Sequence, residues 1–251
     1  MDDLRSRLAT AREVAQAAAQ IAREAYLGDI GAVRSKGSPH NLVTATDEAV
    51  ERMIAAELLA AHPADGLVGE EATSDCPSES GVTWAIDPVD GTWNFANGIP
   101  HWCVVVACAD EHGPAVGVIA DPMRGELWSA VRGGGVELNG RPLIPRELED
   151  DPNAVTWALS LGDGFRELRW QRLRGRLGPV RITGSLALDL AWTAAGRFAA
   201  FAYSCSAAPW DIWAGEVMAR ERGLDIRAEP ENGFDAVLPQ GWWDRLGLEQ
   251  D

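Results

Sequence analysis

The sequence predicts an α+β protein in which helices and strands alternate along the chain. Apolar residues recur at helical spacing over 2–27 and 47–61. Short β-branched runs at 82–86, 104–107, 115–120 and 126–131 are separated by Gly- and Asn-containing turns. Strand and helix patterns then alternate again after about residue 141. The 251 residues suffice for one large unit or two intimately packed halves. The pattern divides into an N-terminal α+β half, 1–140, and a C-terminal α/β half, 141–251, that together form one compact unit.

In the first helix, Leu4, Leu8, Ala11, Ala15, Ala18 and Ala22 form the inward face, and its Ala content favours helix. A polar, Gly-containing loop follows from Gly28 to Pro39 and carries Lys36, a candidate for the functional site. The second helix opens at Thr46-Asp47, with Val50, Met53, Ile54 and Leu58 as its apolar stripe. Asp47 by itself reads as a helix cap or first-turn acid. Gly66–Gly69 is a short strand ending at Glu70-Glu71, adjacent acids that alternate direction on an extended chain. Residues 72–82 connect to the central strand.

Val82–Ile86 reads as a buried strand that Pro88 ends, since Pro cannot donate to a ladder. Asp87 and Asp90 then stand three residues apart on a tight turn. Gly91 lets the backbone come close to a ligand. Thr92 can cap a short helix, leaving N–H groups free for an anion. Carboxylates converging on one turn repel each other unless a cation lies between them, and a hard divalent ion prefers such oxygen ligands. The Val89 carbonyl is a further oxygen in the same place. The stretch is not an EF-hand, because Gly98 stands where that loop needs its last Glu.

Beyond it, Gly133-Gly134-Gly135 punctuates a hairpin, and Val136–Pro142, with Asn139-Gly140, is a turn leaving the first half. In the second half, Val155–Leu161 alternates like a strand and Phe165–Leu177 is a basic amphipathic helix. Gly184-Ser185 hands over to an apolar helix, Ala187–Gly196, and Phe198–Tyr203 is a strand. Asp211 begins a further helix, and residues 224–251 hold two short strand-like pieces.

The net charge of −16 disfavours a nucleic-acid binder that works through a basic surface. It also repels phosphate esters, so bound cations must reverse the local field of any site that takes one. Cys76, Cys103, Cys108 and Cys205 have no C-x-x-C spacing and read as reduced thiols. No apolar run reaches the ~20 residues of a membrane span, and acids follow Met1 where a secretory signal would be basic. The reading is a cytoplasmic protein.

Gly69-Glu70-Glu71, the run Asp87-Pro88-Val89-Asp90-Gly91-Thr92-Trp93-Asn94-Phe95, and Pro209-Trp210-Asp211-Ile212-Trp213-Ala214-Gly215 closely resemble the motifs of the inositol monophosphatase family. Asn41-Leu42-Val43-Thr44-Ala45-Thr46-Asp47 and the segment Arg181–Leu190 are similar to that family too. The resemblance implies the layered α-β-α-β-α sandwich shared with fructose-1,6-bisphosphatase, with the site between the halves. It implies a Mg²⁺-dependent, lithium-sensitive hydrolase of small phosphate monoesters, working as a homodimer with two or three Mg²⁺ per site. Glu70, Asp87, Val89, Asp90 and Asp211 are the implied metal ligands. Asp47, Thr92 and Glu70 are the implied catalytic residues, with Thr92 and Asp47 orienting water. Asp90, Gly91, Thr92, Gly184, Ser185 and Asp211 are the implied substrate contacts.

This chain departs from the family pattern at two places, one of them Gly196-Arg197-Phe198-Ala199 where the family has Gly-Arg-Leu-Asp. No acid stands between Asp189 and Asp211, and Tyr203 or Ser204 falls where the family's sugar-binding acid is expected. Inositol 1-phosphate is therefore the default substrate beside histidinol phosphate, a sugar phosphate or bisphosphate, and a 3′-phosphonucleotide. An interaction protein on the same scaffold, and a nuclease-like enzyme that the acidity disfavours, are the rival classes.

Overall fold

The first helix forms as its spacing predicts: α1 spans Asp2–Leu27 and buries Ala11, Ala15, Ala18 and Ala22. The computed structural model describes residues 2–35, 42–72, 75–160, 177–204, 207–229 and 234–246. Lys36 and the expected basic helix, but for Leu177, lie outside them. After α1, β1 (Val33–Ser35) and β2 (Leu42–Thr44) pair antiparallel and lead into α2, Ala45–Ala61. Thr44 caps α2, and Asp47 is an acid of its first turn.

Seven strands follow: β3 (Gly66–Gly69), β4 (Thr83–Asp90), β5 (Cys103–Asp110), β6 (Gly113–Asp121), β7 (Glu126–Val131), β8 (Gly135–Leu138) and β9 (Arg141–Pro142), with α3 (Thr92–Ala96) between β4 and β5. They make one sheet in chain order, parallel only between β3 and β4. Val136–Pro142, expected as an exit turn, falls instead in two paired strands, β8 and β9. Asn139 and Gly140, both at positive φ, fold them onto each other as a hairpin.

The second sheet has strand order β11-β10-β12-β14-β13. It uses β10 (Trp157–Leu159), β11 (Val180–Arg181), β12 (Ala200–Ser204), β13 (Asp225–Glu229) and β14 (Phe234–Leu238). The helices α4 (Leu186–Ala194), α5 (Pro209–Glu221) and α6 (Trp242–Arg245) complete the described elements.

Strand alternation sorts the side chains into layers. Val104 and Val106 of β5 pack with Trp84, Ile86 and the inward faces of α1 and α2. Cys103, Val105 and Ala107 of the same strand pack with α4 and α5. Phe201 and Tyr203 of β12 close on α4 and α5 from the other side, while Ala200 and Ala202 pack with Trp242 and Trp243 of α6. The order is α1/α2, seven-stranded sheet, α4/α5, five-stranded sheet, α6: the layered α-β-α-β-α sandwich. The central strands have both faces covered, so they read as continuous apolar runs.

Helix α5 lies close on β6. A Cβ added to Gly117 would come within 2.6 Å of the Ala214 backbone. This contact sets the height of Asp211, three residues earlier on that helix.

At the sheet's edge, Arg7 of α1 donates two hydrogen bonds of 2.8 Å to Asp65, and Trp84 and Ser80 donate two more. Burial pushes the Asp65 carboxyl up, but those hydrogen bonds and the Arg7 charge outweigh it and hold the group below the usual range. A lowered carboxylate pKa stabilises the fold above the unfolded value, and the contribution is lost as pH falls. Asp65→Ala leaves the buried Arg7 guanidinium with the exposed Asp3 carboxylate as its ion-pair partner and should cost about 3 kcal/mol, measurable by urea unfolding at neutral pH, with a smaller difference in acid.

Candidate active site

The strand that carries the central acids does not stop at Pro88. It runs on to Asp90 through a bulge: Asp87 pairs with Val105 and Asp90 with Cys103, three steps on β4 against two on β5. The reason is geometric. On a regular strand, residues three apart face opposite sides, and one extra residue returns them to the same side. Pro88 sits within this irregularity, where the ladder asks for no donor. The Val89 N–H turns to Asp87 Oδ1 at 2.8 Å, fixing that carboxylate.

Carboxylate oxygens of Asp87, Asp90 and Asp211 lie within 4.8 Å of one another. Asp90 is held from the second half. It accepts from the Leu186 and Ala187 N–H groups at 3.2 and 3.0 Å, from the Ser185 hydroxyl, and from the Cys103 thiol at 3.5 Å. Asp211, in the first turn of α5, accepts from the Ala208 N–H at 2.8 Å. Glu70, at the end of β3, is outside this tight group, but its charge is the strongest acting on Asp87.

Asp47 meets Thr44 and Thr92. One oxygen accepts from the Thr44 backbone at 3.0 Å, completing the helix cap, while Oδ1 stands 3.4 Å from the Thr92 hydroxyl. Thr92 is not a capping residue: Gly91 precedes the helix, and the Thr92 hydroxyl donates to the Val89 carbonyl at 3.0 Å. Gly91 has φ 95°, and a Cβ there would meet the Gly184 and His101 carbonyls at 3.1 and 3.2 Å. The close approach at Gly91 is therefore to the protein's own backbone.

Burial pushes Asp87 well above the ordinary carboxylate range, and the charges of Glu70, Asp90, Asp211 and Asp47 push it further. Burial also raises Asp90, against the pull of its hydrogen bonds. Asp211 is pushed up to about 6, chiefly by burial. Buried carboxylates that repel one another and offer only oxygen fit a hard divalent cation.

The side chain of Ser185 points inward, 1% exposed, with its hydroxyl on Asp90. Only its backbone is left for a substrate. Tyr203 is in the core against Phe201, so it does not take the place of the sugar-binding acid. Ser204 pairs through its backbone with Phe234.

Two supporting residues escape the sequence reading. Asn94 donates to the His101 and Thr183 carbonyls at 2.7 and 2.9 Å, tying α3 to the segment before α4. Asp189 accepts from the Thr183 hydroxyl at 2.7 Å; burial pushes it up to about 8, with Thr183 pulling down and Asp90 adding to the rise. The signal for Asn94 was its place inside the central motif. For Asp189 it was an acid on an otherwise apolar helix.

The family model described as "Inositol monophosphatase family" matches residues 3–237. The chain is 39% identical over 191 residues to inositol-1-monophosphatase of Rhizobium meliloti, covering 74% of this chain and 71% of that protein. It is 35% identical over 211 residues to Nus factor SuhB of Escherichia coli strain K12, covering 81% and 77%. The crystal structure of extragenic suppressor protein suhB from Bartonella henselae superposes with a TM-score of 0.85 at 26% identity, covering 95% of this chain and 96% of that one.

Acids with raised folded-state pKa keep protons that the unfolded chain has released. Stability of the metal-free protein should therefore fall as pH rises through the Asp211 and Asp189 values. Thermal unfolding of metal-free protein should show Tm dropping between about pH 5 and about pH 8, with Mg²⁺ raising Tm more at the higher pH. A Tm that ignores both variables would contradict the electrostatic picture.

Proposed function

The chain belongs to the inositol monophosphatase family, and from that premise we propose that it is a Mg²⁺-dependent hydrolase of a small phosphate monoester. One observation carries the reading: Asp87, Asp90 and Asp211, from both halves of the chain, bring their oxygens within 4.8 Å. Glu70, Asp87 and the Val89 carbonyl would hold one ion, and Asp87, Asp90 and Asp211 a second. A third would lie near Glu70. Bound Mg²⁺ would supply charge neutralisation of the phosphoryl group and a lowered pKa for water.

The remaining work falls to the chain's own groups. Thr92 and Asp47, 3.4 Å apart, would align the attacking water in line with the leaving alcohol. The Gly91 and Thr92 N–H groups would cradle the phosphate. The Gly184 and Ser185 backbone would face the alcohol, since the Ser185 hydroxyl is held by Asp90. The mechanism requires no Ser, Cys or His nucleophile.

Inositol 1-phosphate is the first substrate to test. Histidinol phosphate, sugar phosphates or bisphosphates and 3′-phosphonucleotides follow, because no acid lies between Asp189 and Asp211. The proposal includes a homodimer, favoured by the exposed apolar Trp93, Ile99 and Ile182, inhibition by Li⁺, and a cytoplasmic setting. No helix among the described residues is long and apolar enough to cross a membrane. Relatives named Nus factor SuhB bring an interaction role into view. The retained Glu70, Asp87, Asp90, Asp211, Asp47 and Thr92 favour catalysis on this scaffold.

Phosphate release from this panel, with and without Mg²⁺, tests the reading: Mg²⁺-dependent turnover is the expected result, and no release from any ester overturns it. Asp87→Asn removes one ligand charge and should lower kcat/KM by about a thousandfold, roughly 4 kcal/mol of transition-state stabilisation. Near-normal turnover in that variant would refute the metal assignment.

A further inference from the structure

We propose that Glu51 is a positioning residue that aims Glu70 at the acidic cluster; the inference rests on the metal-binding reading above. Helix α2 presents two fully buried acids one turn apart on the same face, Asp47 and Glu51. Asp47 meets Thr92. Glu51 meets the corner that follows β3, where its Oε2 accepts from the Glu71 N–H at 2.8 Å. The carboxylate lies flat against the chain: a Cβ added to Gly69 would be 2.5 Å from Oε2 and 2.6 Å from Cδ.

The consequence falls on Glu70. The peptide before it is held by its own N–H, which donates to the Ile86 carbonyl of β4 at 3.2 Å. The peptide after it is held by Glu51. With both flanking peptides fixed, the Glu70 Cα–Cβ direction is set by the backbone and not by the long side chain. The corner needs such support. It closes through the Ala72 N–H to the Gly69 carbonyl at 3.2 Å, with Ala72 at φ 51°, a conformation that L side chains seldom adopt. Released from Glu51, the corner can relax and turn Glu70 away from Asp87, whose pKa it influences more than any other charge.

Only the hydrogen-bond acceptor is required for this role, so an amide should replace the acid. Three proteins separate the possibilities: wild type, Glu51→Met, which keeps length and bulk but cannot accept, and Glu51→Gln, which can. Mn²⁺ binding is read by the electron paramagnetic resonance signal of free ion, and the Glu71 amide by hydrogen exchange in metal-free protein. Glu51→Met should weaken Mn²⁺ binding about tenfold or more and speed exchange at Glu71, while Glu51→Gln stays close to wild type in both. Should Glu51→Met not fold, Gly69→Ala pushes the carboxylate off from the other side and takes its place in the comparison. Equal Mn²⁺ binding in Glu51→Met and wild type, or Glu51→Gln as weak as Glu51→Met, overturns the inference and leaves the metal reading standing. Wild type that binds no Mn²⁺ sinks the metal reading, and this inference with it.

Discussion

The Asp90 carboxylate is the joint between the seven-stranded sheet and the helix layer beneath it. It leaves the bulged end of β4 and is received by Ser185, Leu186 and Ala187 at the start of α4. An acid at a helix N-terminus is favoured, by about 0.3–1 kcal/mol in exposed positions and up to ~2 kcal/mol when partly buried. Desolvating the charge costs several kcal/mol. The Asp90 pKa stays raised despite four donors, so burial outweighs the hydrogen bonds. The arrangement stabilises the interface only in part. Its other effect is to hold a carboxylate in a direction that its own titration would otherwise relax.

The same balance governs the cluster. Among the described residues Asp87 accepts from the Val89 N–H, and it faces four other acids. Such a group disfavours the folded state when ionised and alone. The stability that tolerates it comes from elsewhere: apolar packing on both sides of the seven-stranded sheet, and the hydrogen-bonded Arg7–Asp65 pair at its edge. Function and stability are thus spatially separated, with the unfavourable charges gathered where the layers meet.

Much of this was legible in the sequence, for identifiable reasons. Periodicity located α1 and α2 because each buries one face. The runs around 104–107 and 115–120 read as strands because both sheet faces are covered. The acids were legible through the resemblance of several motifs, in order, to the inositol monophosphatase family; the spacing of Asp87 and Asp90 alone reads equally as a solvated turn. The bulge was not legible: Pro88 marks a break in a ladder but does not say whether the strand resumes. The inward turn of Ser185 was hidden too, because its partner is 95 residues away. Tyr203 misled for a similar reason. Distance from Asp211 along the chain places it near the site, but strand alternation sends its ring into the core.

Asp211 shows how an acid of the cluster is placed with few donors among the described residues. Among the described residues Asp90 has four, whereas Asp211 accepts from Ala208, the residue that caps its own helix. A bond within one helix fixes the rotamer but not the position of the helix. Position comes from the packing of α5 on β6, where Gly117 admits the Ala214 backbone to a distance that no side chain would permit. Ala214 follows Asp211 by three residues, within one helical turn. Any shift of the helix at that contact is therefore carried to the carboxylate almost unchanged. A small residue on a strand of the first half thereby sets the depth of an acid belonging to the second. The geometry of the cluster depends on layer packing as much as on the acids themselves.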